Sequence, residues 1–208
     1  MDSNKSPPPK TNALASAFRS AGLSFVDVGF LKLNFWFPVL LVVAHLSVVS
    51  WCKSSVATSA VAMMPVPPAK VPFFVITAMP IIAVMCTVVA LMSVAAIKPK
   101  GTVRGRNGSL AAQGLPAWLD RVQQAQYNTW EACICTVSTF YVAASLDLSE
   151  ALFAKMATLL LLIRVLYPIV YGLDLDFLRT TLWLMGIHTC LMTAFAGLFA
   201  ESVVPMLT

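Results

Sequence analysis

A chain of 208 residues that is 59% hydrophobic and only 11% charged, with a mean hydropathy of +0.81, is too apolar for a soluble globular domain of its length. That composition points to an integral membrane protein. The net charge of +5 and pI near 9.1 do not signal nucleic acid, because the basic residues are spread over short loops and not gathered on one polar domain.

Residues 1–30 carry Pro7, Pro8 and Pro9, several serines and few acids, followed by apolar residues at mixed helical spacing. They read as a tail, a surface-lying helix or an organellar targeting segment. Residues 31–52 read as an extra membrane helix. Leu31 to Trp51 is apolar apart from Lys32, Asn34, His45 and a few serines, with Pro38 near its start. That places it at the margin of what crosses a hydrocarbon core about 30 Å thick with about 20 residues. Val71 to Ile97 holds no charge and is the clearest span. Residues 98–120 form a polar loop with Lys98, Lys100, Arg104 and Arg106 and the turn formers Gly105, Asn107 and Gly108. The next helix starts near Pro116 or Ala117 and runs to about Leu146. Asp147 and Ser149 interrupt it, and Ser149 is the expected N-cap of a helix from Glu150 to about Tyr171. After a short acidic turn, Gly172 to Asp176, the last helix runs from Phe177 to about Val204.

Positive residues near span ends stay on the cytoplasmic or equivalent side, which puts the basic loop inside. Lys5, Lys10, Arg19 and Lys32 join it there only if Leu31 to Trp51 also crosses, so five spans are expected. The fold class is an all-α membrane bundle. Trp51 and Trp118 fall at span ends, as interface anchors do. Cys52, Cys86, Cys133, Cys135 and Cys190 sit mostly in apolar runs as small hydrophobes. Cys133 and Cys135 are two apart and face different ways on a helix, which argues against a metal pair. Neither a disulfide framework nor a metal site is expected.

Polar groups inside an apolar segment need a reason, since each charge costs about 3 kcal/mol at a span centre and normally faces the bundle interior. Arg121, Gln124, Asn128 and Glu131 are separated by steps that keep all four on one helical stripe beside Ala125. Arg164, Tyr167 and Tyr171 form a second stripe at the same end of the bundle, and Arg179 opens the last helix beside it. Glu131 and Arg164 are the natural candidates for an ion pair or a shared site. An anionic, peptide-like ligand suits this convergence: guanidinium groups grip carboxylates, an amide both donates and accepts, and a carboxylate receives an ammonium. The competing explanation is a helix-packing seam held by interhelical hydrogen bonds of about 0.6 kcal/mol each. Spacing leaves both open. His188 reads as an interhelical hydrogen-bond donor, and His45 has no nameable partner in the sequence. No phosphate-binding glycine loop, serine triad or paired-carboxylate site is present.

The run Arg121, Ala125, Gln126, Asn128 and Glu131, followed by Arg164, Tyr167 and Tyr171, resembles the MAPEG family, membrane-associated proteins in eicosanoid and glutathione metabolism. The likeness covers roughly residues 71–204. It implies a four-helix subunit that forms homotrimers, with glutathione between neighbouring subunits near the basic-loop side. It further implies that Arg121, Gln124, Asn128, Glu131, Arg164 and Tyr167 occupy glutathione-binding positions, while Tyr171 or Arg179 stabilises the thiolate. Three features depart from the family pattern. Gln124 stands where glutathione-using members commonly have a second arginine, Ala132 and Cys133 replace an aromatic or apolar residue followed by proline, and the turn before Arg179 differs in length. Two functions follow from the resemblance. One is a glutathione-dependent transferase or peroxidase for lipophilic electrophiles. The other is a noncatalytic accessory subunit of a larger complex, docked through the N-terminal extension, in the endoplasmic reticulum or an organellar membrane.

Overall fold

The computed structural model describes residues 28–97 and 115–208, apart from the side chains of residues 28–35, 117 and 176. The N-terminal tail, the targeting reading and the basic loop carrying Lys98, Lys100, Arg104 and Arg106 lie outside the described residues. Among the described residues every regular element is helical: α1 (Val28–Lys53), α2 (Ser55–Ala62), a 3-10 turn at Pro68–Lys70, α3 (Val71–Ile97), α4 (Ala117–Ser145), α5 (Glu150–Gly172), α6 (Asp176–Leu198) and α7 (Ala200–Leu207). Four stretches are long and apolar enough to cross a membrane: Trp36–Lys53, Pro68–Ile97, Glu150–Gly172 and Phe177–Leu198. The chain is therefore an all-α integral membrane protein. Helix α4, at 29 residues, is also long enough to cross, but its polar stripe keeps it outside that apolar set.

The chain divides into two compact units, Met1–Val42 and Val43–Thr208. Of the first, the described part is residues 28–42, the opening turns of α1. In the second, α5 is the central helix and packs against α2, α3, α4 and α6. Its buried residues include Ala154, Met156, Ala157, Leu160, Ile163, Arg164 and Tyr167, so it is enclosed on several sides, as a helix apolar nearly all round must be. Helices α4 and α6 meet closely at Gly197, where a Cβ would stand 3.2 Å from the Ala143 Cα.

The end of α1 that belongs to the second unit is tied to the bundle by polar groups. The Trp51 indole N–H donates to the Lys155 carbonyl at 2.8 Å, and the Lys155 ammonium donates to the Cys52 carbonyl at 2.7 Å. A cation at that end satisfies an orphan carbonyl and complements the helix dipole. Trp51, expected at an interface, thus also joins two helices. His45 does have a partner. Its Nδ1 lies 3.1 Å from Nε2 of His188, with the rings edge to face at 75°. The chain's two histidines, distant in sequence, form one interhelical hydrogen bond. Replacing either by leucine is expected to cost about 0.6 kcal/mol. The double replacement should cost little more than one single, read from unfolding midpoints in detergent; additive losses would show the two act separately.

Three local features differ from the sequence reading. Ser149 occupies the N-cap position of α5, but its side chain makes no capping bond; its carbonyl accepts from Phe153 N–H at 3.0 Å, the first helical bond. Helix α6 does not run on to Val204. It breaks at Phe199 (φ −126°, ψ 48°), and the short α7 that follows buries Leu207 and packs Val203 and Val204 on the core. Helix α2 was not anticipated. Ser54 nucleates it, its hydroxyl oxygen accepting from Ala57 N–H at 3.1 Å. Asp147 and Asp174 end α4 and α5 in the left-handed region, at φ 52° and 63°. After Asp174 the Leu175 N–H returns to the Val170 carbonyl at 3.3 Å, closing the helix end.

Candidate functional site

The site is built where α4, α5 and α6 come together near the start of α6. Two of its residues, Tyr167 and Tyr171, flank a proline inside α5. Pro168 has no N–H to offer the carbonyl of Arg164, one turn back, so the helix lacks a rung between the residues of the Arg-x-x-Tyr-x-x-x-Tyr run. Within a membrane bundle such a gap is tolerated where neighbouring helices surround it.

Asn128 on α4 donates from Nδ2 to the Tyr167 hydroxyl at 2.8 Å, joining α4 to α5. Tyr167 is almost fully buried, and its ring lies edge to face with Tyr171, centroids 5.6 Å apart. The Arg179 guanidinium on α6 covers the Tyr171 ring at 4.6 Å. These side chains, with Glu131, Thr180 and Trp183, line an open cavity of about 280 Å³. Glu131 is exposed there. The cavity therefore offers one carboxylate, one guanidinium, one amide and two phenols, a set able to hold an ammonium, a carboxylate and a peptide group at once.

Arg164 stands apart from the cavity. It is 1% exposed and faces the Tyr167 ring at 5.6 Å. Its guanidinium also lies close to Gly186 of α6, where a Cβ would stand 2.6 Å from Nη2. Its Nε and Nη1 make no hydrogen bond among the described residues. Glu131 and Arg164, expected to form an ion pair or share a site, do neither among the described residues: the carboxylate is exposed at the cavity, and the guanidinium is buried and does not line it. The cation instead depends on the ring face and close packing, because a buried charge without a carboxylate needs some compensation.

Arg121 and Gln124 are not among the cavity-lining residues. Arg121 pairs with Asp174 at 3.3 Å, and its Nε donates to the Gly172 carbonyl at 3.4 Å, fastening α4 to the end of α5. Gln124 is exposed. Of the residues singled out in the sequence, Asn128, Glu131, Tyr167, Tyr171 and Arg179 meet at one cavity; Arg121, Gln124 and Arg164 do not line it. Thr180 and Trp183 escaped the sequence reading. Trp183 lies one helical turn from Arg179, on the same face, which is the signal that would have found it. No group of three or more metal-ligating side chains occurs among the described residues.

Comparison with known proteins adds one match. The model of the MAPEG family matches residues 74–199 of this chain. No curated protein and no solved structure matches it.

Proposed function

The chain belongs to the MAPEG family, and on that premise we propose that it is a glutathione-dependent transferase or peroxidase acting on lipophilic electrophiles. The observation that carries this reading is the cavity itself. Residues far apart in sequence, Asn128, Glu131, Tyr167, Tyr171 and Arg179, line one space with the charges of a small zwitterionic peptide in complement. Glutathione would supply the thiol nucleophile. Glu131 receives the ammonium of the tripeptide, and Asn128, oriented by its bond to Tyr167, pairs with a peptide group. Arg179, held over Tyr171, stabilises negative charge on sulfur. Arg164 supports the site from behind by fixing the Tyr167 ring. The electrophile arrives from the bilayer, where α6 is apolar enough to cross.

The proposal includes a homotrimer. Helix α4 exposes Trp130, Ile134, Val137 and Tyr141 beside the polar Gln124 and Glu131. A helix this polar is poorly suited to face lipid, and a neighbouring subunit is a better cover.

Glutathione binding to the detergent-purified protein, measured by calorimetry, tests the reading. Millimolar or tighter affinity that Asn128→Ala abolishes is the expected result. No heat at millimolar ligand would instead assign a noncatalytic accessory subunit. One observation already favours that second reading: Arg121 is engaged by Asp174, and Gln124 lies outside the cavity, so neither family arginine position contributes a cation there.

A further inference from the structure

Tyr171 lies in the last turn of α5 and Arg179 in the first turn of α6, and the two side chains meet across the reversal between them, guanidinium over ring at 4.6 Å. The shape of that reversal therefore decides where the cation stands. Backbone bonds close it: Leu173 N–H donates to the Ile169 carbonyl at 3.0 Å, Asp174 N–H to the Tyr171 carbonyl at 3.2 Å, and Arg179 N–H to the Leu175 carbonyl at 2.8 Å. Asp174 takes φ 63°, a left-handed conformation that Asp and Asn tolerate better than most residues. Leu173 and Leu175 are exposed, so apolar packing does little to hold the turn. A third helix holds it from outside. Arg121 of α4 reaches the Asp174 carboxylate with Nη1 at 3.3 Å and donates from Nε to the Gly172 carbonyl at 3.4 Å. That carbonyl ends α5, where helical partners run out and the helix dipole favours a cation. Beside it, a Cβ at Gly172 would stand 3.8 Å from Val122, so α4 passes close to the turn. The helix that carries Asn128 and Glu131 thus also grips both sides of the reversal that places Arg179.

We propose that Arg121 and Asp174 form a clamp on the α5–α6 turn that sets the position of Arg179 against Tyr171, which makes Arg121 a positioning residue for the cavity and not one of its ligands. The clamp itself rests on the contacts of the turn; its consequence for the thiolate rests on the glutathione reading. An ion pair 27% and 57% exposed adds little to global stability, so its loss leaves the bundle folded. What it governs is a placement. A charged group displaced by about 1 Å from the atom it serves can cost up to about 10²-fold in rate, and the turn carries Arg179 with it when it shifts. The pair is open to solvent, so salt weakens it and makes the placement sensitive to ionic strength.

Three variants of the full chain in detergent test it. Asp174→Asn removes the charge and keeps a residue that accepts the left-handed backbone, Arg121→Met removes both contacts, and Arg121→Lys keeps the charge alone. Glutathione affinity is measured by calorimetry, and the thiolate fraction of bound glutathione by its ultraviolet absorbance. Asp174→Asn and Arg121→Met should lower the thiolate fraction at neutral pH by about three- to tenfold and leave affinity within about threefold. Arg121→Lys should fall between them and the wild type. High salt should bring the wild type toward Asp174→Asn and change that variant less. An unchanged thiolate fraction in Asp174→Asn would overturn the proposal. So would a loss of affinity in Arg121→Met that Asp174→Asn does not share, because it would make Arg121 a ligand. Hydrogen exchange of the amides of residues 172–179 supplies an arm that needs no glutathione. Exchange there should quicken by about tenfold in Asp174→Asn and Arg121→Met while α3 keeps its protection. Unchanged exchange, or exchange that quickens equally in α3, would overturn the clamp. A wild type that binds no glutathione removes the reading of the cavity, and the exchange arm still decides the clamp.

Discussion

Arg179→Ala should lower the rate of glutathione conjugation by about 10²- to 10³-fold while leaving glutathione affinity within a few-fold of wild type. The reasoning is geometric. Among the residues lining the cavity, Arg179 supplies the guanidinium, and its place over the Tyr171 ring positions it at the cavity wall. A preorganised cation next to sulfur is worth most when charge is concentrated there, which makes the expected loss one of kcat more than of binding. Arg179→Lys should recover part of the rate, because it restores the charge but not the planar stacking on Tyr171. Single-turnover kinetics at saturating glutathione decide the matter. An unchanged rate in Arg179→Ala would remove Arg179 from the chemistry, and a collapse in affinity with a normal rate would make it a binding residue.

Gly186→Ala is expected to destabilise the protein by about 1–3 kcal/mol, a large effect for one methyl group. At this position the added Cβ would fall 2.6 Å from Nη2 of Arg164 and 3.1 Å from its Cζ. A long side chain usually yields to such a clash, but this guanidinium is 1% exposed and also lies against the Tyr167 ring. Moving it disturbs the Tyr167 ring, and through it the hydrogen bond from Asn128. Arg164→Met should relieve the clash, so the double variant should be more stable than the sum of the two singles predicts. Thermal unfolding in detergent of the four proteins in that cycle measures the coupling. Additive losses would mean that Gly186 and Arg164 do not constrain one another.

How the site was legible in the sequence follows from the same residues. The hydropathy of Val71 to Ile97 and the helical spacing of Asn128 with Glu131, and of Tyr167 with Tyr171, are properties of a single helix. They can be read without knowing what packs against it, because a 3.6-residue period alone decides which side chains share a face. Which faces meet is a different matter. Spacing put Arg121 and Gln124 on the same stripe as Asn128, but not at the cavity, because the stripe is longer than the place where three helices converge. Asp174, in the turn after α5, engages Arg121 first. Spacing also suggested that Glu131 and Arg164 form an ion pair or share a site. In the structure Arg164 lies against the Tyr167 ring and Gly186, while Glu131 lines the open cavity.

The sequence by itself determined an all-α membrane protein, the approximate limits of its long helices, and a polar constellation characteristic of the MAPEG family. The first two follow from composition and from periodicity along one chain segment; the third is a resemblance of motifs. Only the tertiary structure decided that His45 and His188 bond to each other, that Arg164 is buried against the Tyr167 ring, and that Trp183 is part of the cavity wall. Each depends on the side-to-side register of helices far apart in sequence. That register is set by which small residues, such as Gly186 and Gly197, let neighbouring helices and side chains approach closely.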